Sequence, residues 1–157
     1  PYKDAVYNVS RVGLLPAAMN PVVLAQAAQQ GRSGVAAAPA QDTDTCACAD
    51  GTRESAFADE LAAAQAQSNA LLFTATQDKL HQPYRGALMP PSTELIALFR
   101  SKGYAAAVSG AGPCVLVLHY GNAREAIDQI ASEQLASGHW RVLHLPINTA
   151  GVEIERR

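Results

Sequence analysis

The sequence has 157 residues, 48% of them apolar and 17% charged, with a formal net charge of −2. That size and balance suit a soluble domain with a buried core, and near-neutral charge without a basic stripe argues against nucleic acid or an anionic membrane as partner. No apolar run approaches the ~20 residues of a bilayer-spanning helix, and none of signal-peptide length follows Pro1-Tyr2-Lys3-Asp4. Three cysteines without a paired spacing do not form a disulfide framework, so a cytoplasmic protein is expected.

Along the chain, Ala5, Val6, Val9, Val12 and Leu15 recur at steps of three or four and predict an amphipathic helix ending near Pro16. Asn20 reads as the N-cap of a second helix over Val22 to Gln30, with Pro21 at its first position and Gly31 as its stop. Residues 31–56 are dominated by Ala, Gly, Ser, Thr and Asp, with Val35 the one large apolar side chain. Such a segment buries too little surface to offset an ordering entropy of ~1–2 kcal/mol per residue, and a mobile insertion is expected there. Order is expected to return near Phe57 in a long Ala-rich helix, continued by Leu71, Leu72, Ala75, Lys79 and Leu80 to about His81, where Pro83 ends it.

Pro90-Pro91 predict a turn, Ser92 or Thr93 a cap, and Leu95, Ile96, Leu98 and Phe99 the buried face of a helix that Gly103 stops. Tyr104 to Val108 and Cys114 to His119 read as two strands about the turn Ser109-Gly110-Ala111-Gly112-Pro113. Asn122 with Glu125 forms a capping-box pattern before a helix carrying Ala126, Ile127, Ile130 and Leu135, ended by Gly138. Trp140 to Ile147 reads as a strand, with another expected over Gly151 to Ile154. This order favours an α+β fold, an antiparallel sheet packed against helices.

Two stretches carry candidate chemistry. Arg85, beyond a helix end and between Pro83 and Pro90, is well held for bidentate binding of a carboxylate or phosphate. In Ser109, Gly110, Ala111 and Gly112 the glycines allow backbone amides to approach an anion. Here a strand follows where a dinucleotide or Walker-type loop would open a helix. Residue types alone leave two plainer alternatives open, a surface arginine in a proline-rich turn and a tight strand connection. Cys46 and Cys48 lack the further ligands of a zinc site, so no metal is expected. Cys114 reads as a small core residue, and Asp78 and Glu94 as exposed helix charges.

Together these stretches resemble the homoserine kinases, a branch of the GHMP small-molecule kinases. Asp78-Lys79-Leu80-His81-Gln82-Pro83-Tyr84-Arg85, followed by Leu88-Met89-Pro90, is similar to a bacterial pattern of that family. Ser109-Gly110-Ala111-Gly112-Pro113 is similar to its third glycine motif. Asp4 to Arg11 resembles its first C-domain helix, with Asn8 a helix-packing residue, and Leu145 to Val152 resembles its closing strand. The resemblance implies phosphorylation of the L-homoserine side-chain hydroxyl by ATP with Mg2+, in threonine biosynthesis. It gives Arg85 to the substrate carboxylate and the turn from Ser109 to Gly112 to the phosphate and substrate region. It also points to a homodimer.

The family's ATP-holding loop, Pro-x-x-x-Gly-Leu-Gly-Ser-Ser-Ala, has no counterpart in the sequence, and neither does the first strand of the C-terminal domain. The chain is therefore expected to be the C-terminal half of the enzyme, inactive alone, with ATP and Mg2+ held mainly by the absent part. Cys114 stands where the family usually has Ser or Thr. Another GHMP small-molecule kinase and a non-catalytic amino-acid-binding α+β module are the alternatives.

Overall fold

The computed structural model describes residues 2–20, 50–145 and 154. It divides into two compact units, Pro1–Ala123 and Arg124–Arg157. Within the first, α1 (Tyr2–Val12) is followed by a turn at 13–14 and a helical stretch at 15–20. Then come the long α2 (Asp50–Ala75), the short α3 (Gln82–Arg85), a 3-10 turn (Gly86–Leu88) and α4 (Pro90–Ser101). A hairpin of β1 (Ala105–Val108) and β2 (Val115–Leu118) completes it. The strands are antiparallel, with Ala105 opposite Leu118 and Val108 opposite Val115. The helix-rich architecture with an antiparallel pair is the expected α+β class.

The core forms where α2 and α4 cover the hairpin. Ala18, Leu72 and Ala105 are buried together, with Leu15, Leu71, Phe73, Leu118 and Tyr120 packed around them. On α4 the expected face is buried at Leu95, Ile96 and Phe99, while Leu98 is half-buried. Phe99 meets Tyr104 edge-to-face at 6.4 Å, a favoured aromatic geometry. The Asn69 side chain pins β2 to α2: its Nδ2 donates to the Tyr120 carbonyl at 3.1 Å, and its Oδ1 accepts the Tyr120 N–H at 2.7 Å.

Arg100 joins three elements. Its Nη2 donates to the Phe73 carbonyl at 2.8 Å, and its Nη1 donates to the Ala106 carbonyl at 3.0 Å and Thr76 Oγ1 at 3.1 Å. The guanidinium also lies 4.2 Å over the Phe73 ring. A cation here suits the Phe73 carbonyl, one of those near the C-terminal end of α2. Burial draws the Arg100 pKa down, and the coulombic effect of Tyr7 opposes this.

Several expectations are corrected. Asp50 to Ala56, expected within the mobile stretch, are helical and belong to α2. The Cys46/Cys48 pair, residues 31–49 and the predicted helix over 22–30 fall outside the described residues. Asn20 is itself helical rather than an N-cap. α1 ends at Val12, before Gly13, and Pro16 lies in the first turn of the next helical stretch, where its missing N–H is harmless. Val6, Val9 and Val12 are 51%, 74% and 61% exposed, so the apolar spacing of α1 forms an outer stripe while its polar side docks.

The long helix stops at Ala75, leaving Lys79 and Leu80 in a loop, and Pro83 opens α3 rather than closing α2. α4 starts at Pro90-Pro91 with Met89 as N-cap, ahead of the caps expected at Ser92 or Thr93. Proline fits the first helical turn because its N–H would be unpaired there anyway.

In the second unit the predicted helix divides into α5 (Arg124–Ile130) and α6 (Ser132–Ala136), and Gly138 follows at φ +73°. Ile127 and Ala131 are buried, and His144 Nε2 lies 3.0 Å from Asp128 Oδ2. Residues 140–145 form no strand, and Leu143 and Leu145 stand exposed. Alternation alone cannot make a strand without a neighbouring backbone to share its hydrogen bonds. Of Gly151 to Ile154, residues 151–153 lie outside the described residues and Ile154 is not in a strand.

Replacing Arg100 with Leu should lower unfolding free energy by about 2–4 kcal/mol, since buried carbonyls lose charged donors. Chemical unfolding of the two proteins measures it. A change within experimental error would show that water replaces the guanidinium without cost.

Candidate functional site

The site begins with the chain reversal after α2. The Asp78 carboxylate accepts the N–H groups of Leu80 at 2.7 Å, His81 at 3.1 Å and Gln82 at 2.7 Å. It also accepts a short bond from Asn8 Nδ2, while Asn8 Oδ1 accepts the Lys79 N–H at 3.0 Å. One end of the Asn8 amide therefore holds the Asp78 carboxylate and the other the Lys79 backbone. Next to it, the Tyr7 hydroxyl donates to Gln77 Oε1, and Lys79 Nζ lies 4.1 Å over the Tyr7 ring.

Asp78 is thus neither helical nor an exposed surface charge: its side chain is only 17% exposed. Burial pushes its carboxyl pKa up, but hydrogen bonds from Asn8 and from the Gln82, Leu80 and His81 backbones outweigh this and hold it below the ordinary 3.8. The signal in the sequence was an Asp shortly before Gln-Pro, an acceptor placed to satisfy amides where a helix begins.

The reversal launches α3, whose last residue is Arg85. From there Arg85 Nη1 reaches the Ala111 carbonyl in the glycine turn, a long contact of 3.5 Å. Within the turn, Ser109 N–H donates to the Cys114 carbonyl at 2.8 Å and Gly112 N–H to the Ser109 carbonyl at 3.1 Å. Those two amides serve the turn itself. Among the described residues the amides of Gly110 and Ala111 have no such partner, so only part of the expected anion-facing backbone is available.

Gly112 has φ +85°, and a Cβ there would lie 2.6 Å from Met89 Sδ, so both backbone and packing call for glycine. Ser92, almost fully buried, donates to the Pro113 carbonyl at 2.6 Å. Cys114 is exposed, not a core residue, because the hairpin turns that position outward.

These pieces surround a cleft of about 400 Å³. Its walls include Asn8, Asp78, His81 and Arg85 on one side and Val108, Gly110 and Ala111 on the other. Arg85 and the glycine turn, separated by some 25 residues of sequence, share this one space. Ser109 and Gly112 shape the turn without lining the cleft. Arg85 is the only Lys or Arg among the lining residues, and among the described residues no carboxylate pairs with it. The Asp78 oxygens, filled by internal donors, do not neutralise it. The arrangement can receive a small anionic molecule with one end on the guanidinium and the rest along the turn.

Among the described residues no group of three or more His, Cys, Asp or Glu side chains converges. No described helix is long and apolar enough to cross a membrane.

Residues 55–136 match the family model for the GHMP kinases C terminal. The chain belongs to that family. A homoserine kinase of Clavibacter michiganensis subsp. michiganensis is 43% identical over 97 residues, covering 60% of this chain and 30% of that protein. A homoserine kinase of Leifsonia xyli subsp. xyli is 44% identical over 98 residues, covering 61% and 30%. One of Streptomyces coelicolor is 37% identical over 84 residues, covering 54% and 26%. The chain therefore spans less than a third of the length of these relatives.

Because the native pKa of Asp78 is depressed, its stabilisation is present above the ordinary 3.8 and is lost as pH falls through the native value. Asp78→Asn should cost about 1–3 kcal/mol near neutral pH, the worth of hydrogen bonds to a charged group. The gap from wild type should close as pH falls below 4. Unfolding curves across that range read it, and a gap constant with pH would show that the charge of Asp78 contributes nothing.

Proposed function

We propose that this sequence forms the substrate-side part of a homoserine kinase, which transfers the γ-phosphoryl group of ATP to the side-chain hydroxyl of L-homoserine. One observation carries the reading: Arg85 and the glycine turn meet at a single cleft, 3.5 Å apart at Nη1 and the Ala111 carbonyl. The likeness to homoserine kinases supports the choice of substrate, and belonging to the GHMP kinases supports the use of a phosphoryl donor. Activity is proposed for a chain that also supplies what these relatives have outside the matched part.

In this reading Arg85 binds the substrate carboxylate and leaves the hydroxyl end directed along the turn. ATP supplies the phosphoryl group. The amides of Gly110 and Ala111 offer donors to anionic oxygens beside the cleft, and the glycines keep that approach clear of side chains. Phosphoryl transfer depends chiefly on positioning and charge stabilisation, which is work suited to a fixed guanidinium and a rigid turn. Threonine biosynthesis in the cytoplasm is the setting this activity implies, and the homodimer belongs to the same proposal.

A substrate panel on the full-length enzyme tests the assignment. Homoserine should be phosphorylated in preference to mevalonate or a sugar, neither of which offers an α-amino acid head group. Arg85→Ala should raise the KM for homoserine about 10–100-fold, as loss of a charged hydrogen bond predicts, and leave the KM for ATP nearly unchanged. Preference for a sugar would move the chain to another branch of the family. An unchanged homoserine KM would remove Arg85 from the binding site.

A further inference from the structure

We infer that Asn8 and Asp78 are positioning residues for Arg85, setting the direction of its guanidinium without touching substrate. The inference rests on the homoserine kinase reading and adds to it a polar latch between α1 and the substrate-binding arginine.

The latch is continuous. Asn8 on α1 donates to the Asp78 carboxylate and accepts the Lys79 N–H at 3.0 Å. Asp78 then gathers the N–H groups of Leu80, His81 and Gln82, which fixes the backbone entering α3. Gln82 is the first residue of that helix, and the Arg85 N–H returns to the His81 carbonyl at 2.9 Å. One helical turn thus separates the carboxylate's last partner from the residue whose side chain enters the cleft. The bonds leave little freedom at the base of α3.

Two features distinguish this from general scaffolding. Among the described residues the Arg85 side chain has only the long contact with the Ala111 carbonyl, which does not determine its direction at the tip. The direction is set at the base, where Asn8 holds the Lys79 N–H and Asp78 holds the N–H groups of Leu80, His81 and Gln82. Second, the latch fills the Asp78 oxygens with internal donors, which keeps a nearby carboxylate from taking the guanidinium that the substrate needs. Asn8 can do this because both amide ends are engaged, whereas an aliphatic residue would offer neither bond.

The test uses the full-length kinase and compares Asn8→Ala, Asp78→Asn, Arg85→Ala and the doubles Asn8→Ala/Arg85→Ala and Asp78→Asn/Arg85→Ala, with thermal unfolding as the control for folding. Asn8→Ala and Asp78→Asn should each raise the homoserine KM about tenfold, the scale of one hydrogen bond to a charged group, with the KM for ATP unmoved. In the Arg85→Ala background each should add less than about twofold, because a residue acting through Arg85 has nothing left to position. If Asp78→Asn does not fold, Asn8→Ala decides, since it leaves the backbone bonds to Asp78 intact.

Losses that add to that of Arg85→Ala overturn the inference, as does an unmoved homoserine KM in both single variants when Arg85→Ala raises it. In either case the kinase reading stands. An unmoved KM in Arg85→Ala overturns the role of Arg85 and the inference with it.

Discussion

The geometry of the cleft depends on one half-buried carboxylate, that of Asp78. A helix running on from α2 would have its amides at 80–82 bonded to carbonyls four residues earlier. Asp78 offers those amides a charged acceptor instead, and the chain reverses around it. Pro83 then fits as the second residue of a new helix, where it sacrifices no bond. Without the carboxylate, three amides at a partly buried corner would need other partners. The short helix, the 3-10 turn after it and the direction of Arg85 all follow from how those amides are satisfied.

Two arginines in the same unit show how a structural cation differs from one kept for a ligand. Arg100 donates to the Phe73 carbonyl, the Ala106 carbonyl and Thr76 Oγ1 and stacks on the Phe73 ring. Its donors are engaged with two backbone carbonyls and a hydroxyl, so it cements α2, α4 and β1. Among the described residues the Arg85 side chain has one long contact, and it lines the open cleft. Among the described residues no carboxylate pairs with Arg85, and the nearby Asp78 is occupied by other donors. The difference lies in the acceptors around each guanidinium, which the sequence does not display.

Much of the hairpin and of α4 was legible because local chemistry and burial agree there. Glycines at a turn, short apolar runs and an apolar face at helical spacing all point the same way. α1 misled because its valines have core spacing, yet its contacts run through Tyr7 and Asn8 and leave Val9 exposed. The end of α2 misled for another reason. Leu80 continues the helical period of Leu72, but periodicity carries no information about a side chain that competes for backbone amides. Asp78 was therefore read as a surface charge when it is the organiser of the turn. The run at 140–145 has a strand's alternation, but among the described residues no strand pairs with it.

The two site motifs are informative together because they form one mechanical unit. Met89 follows the 3-10 turn that begins after Arg85, and its sulfur lies where a side chain at Gly112 would have to go. Three residues on, Ser92 donates to the carbonyl of Pro113. The segment after Arg85 is thus fitted to the far end of the glycine turn, and Arg85 itself reaches Ala111 in its middle. Changing the turn at Gly112 would shift Met89, and with it the helix start that follows Arg85. A glycine turn on its own is consistent with many strand connections, and an arginine among prolines with many surfaces. Their spacing in sequence is constrained because each shapes the other in space.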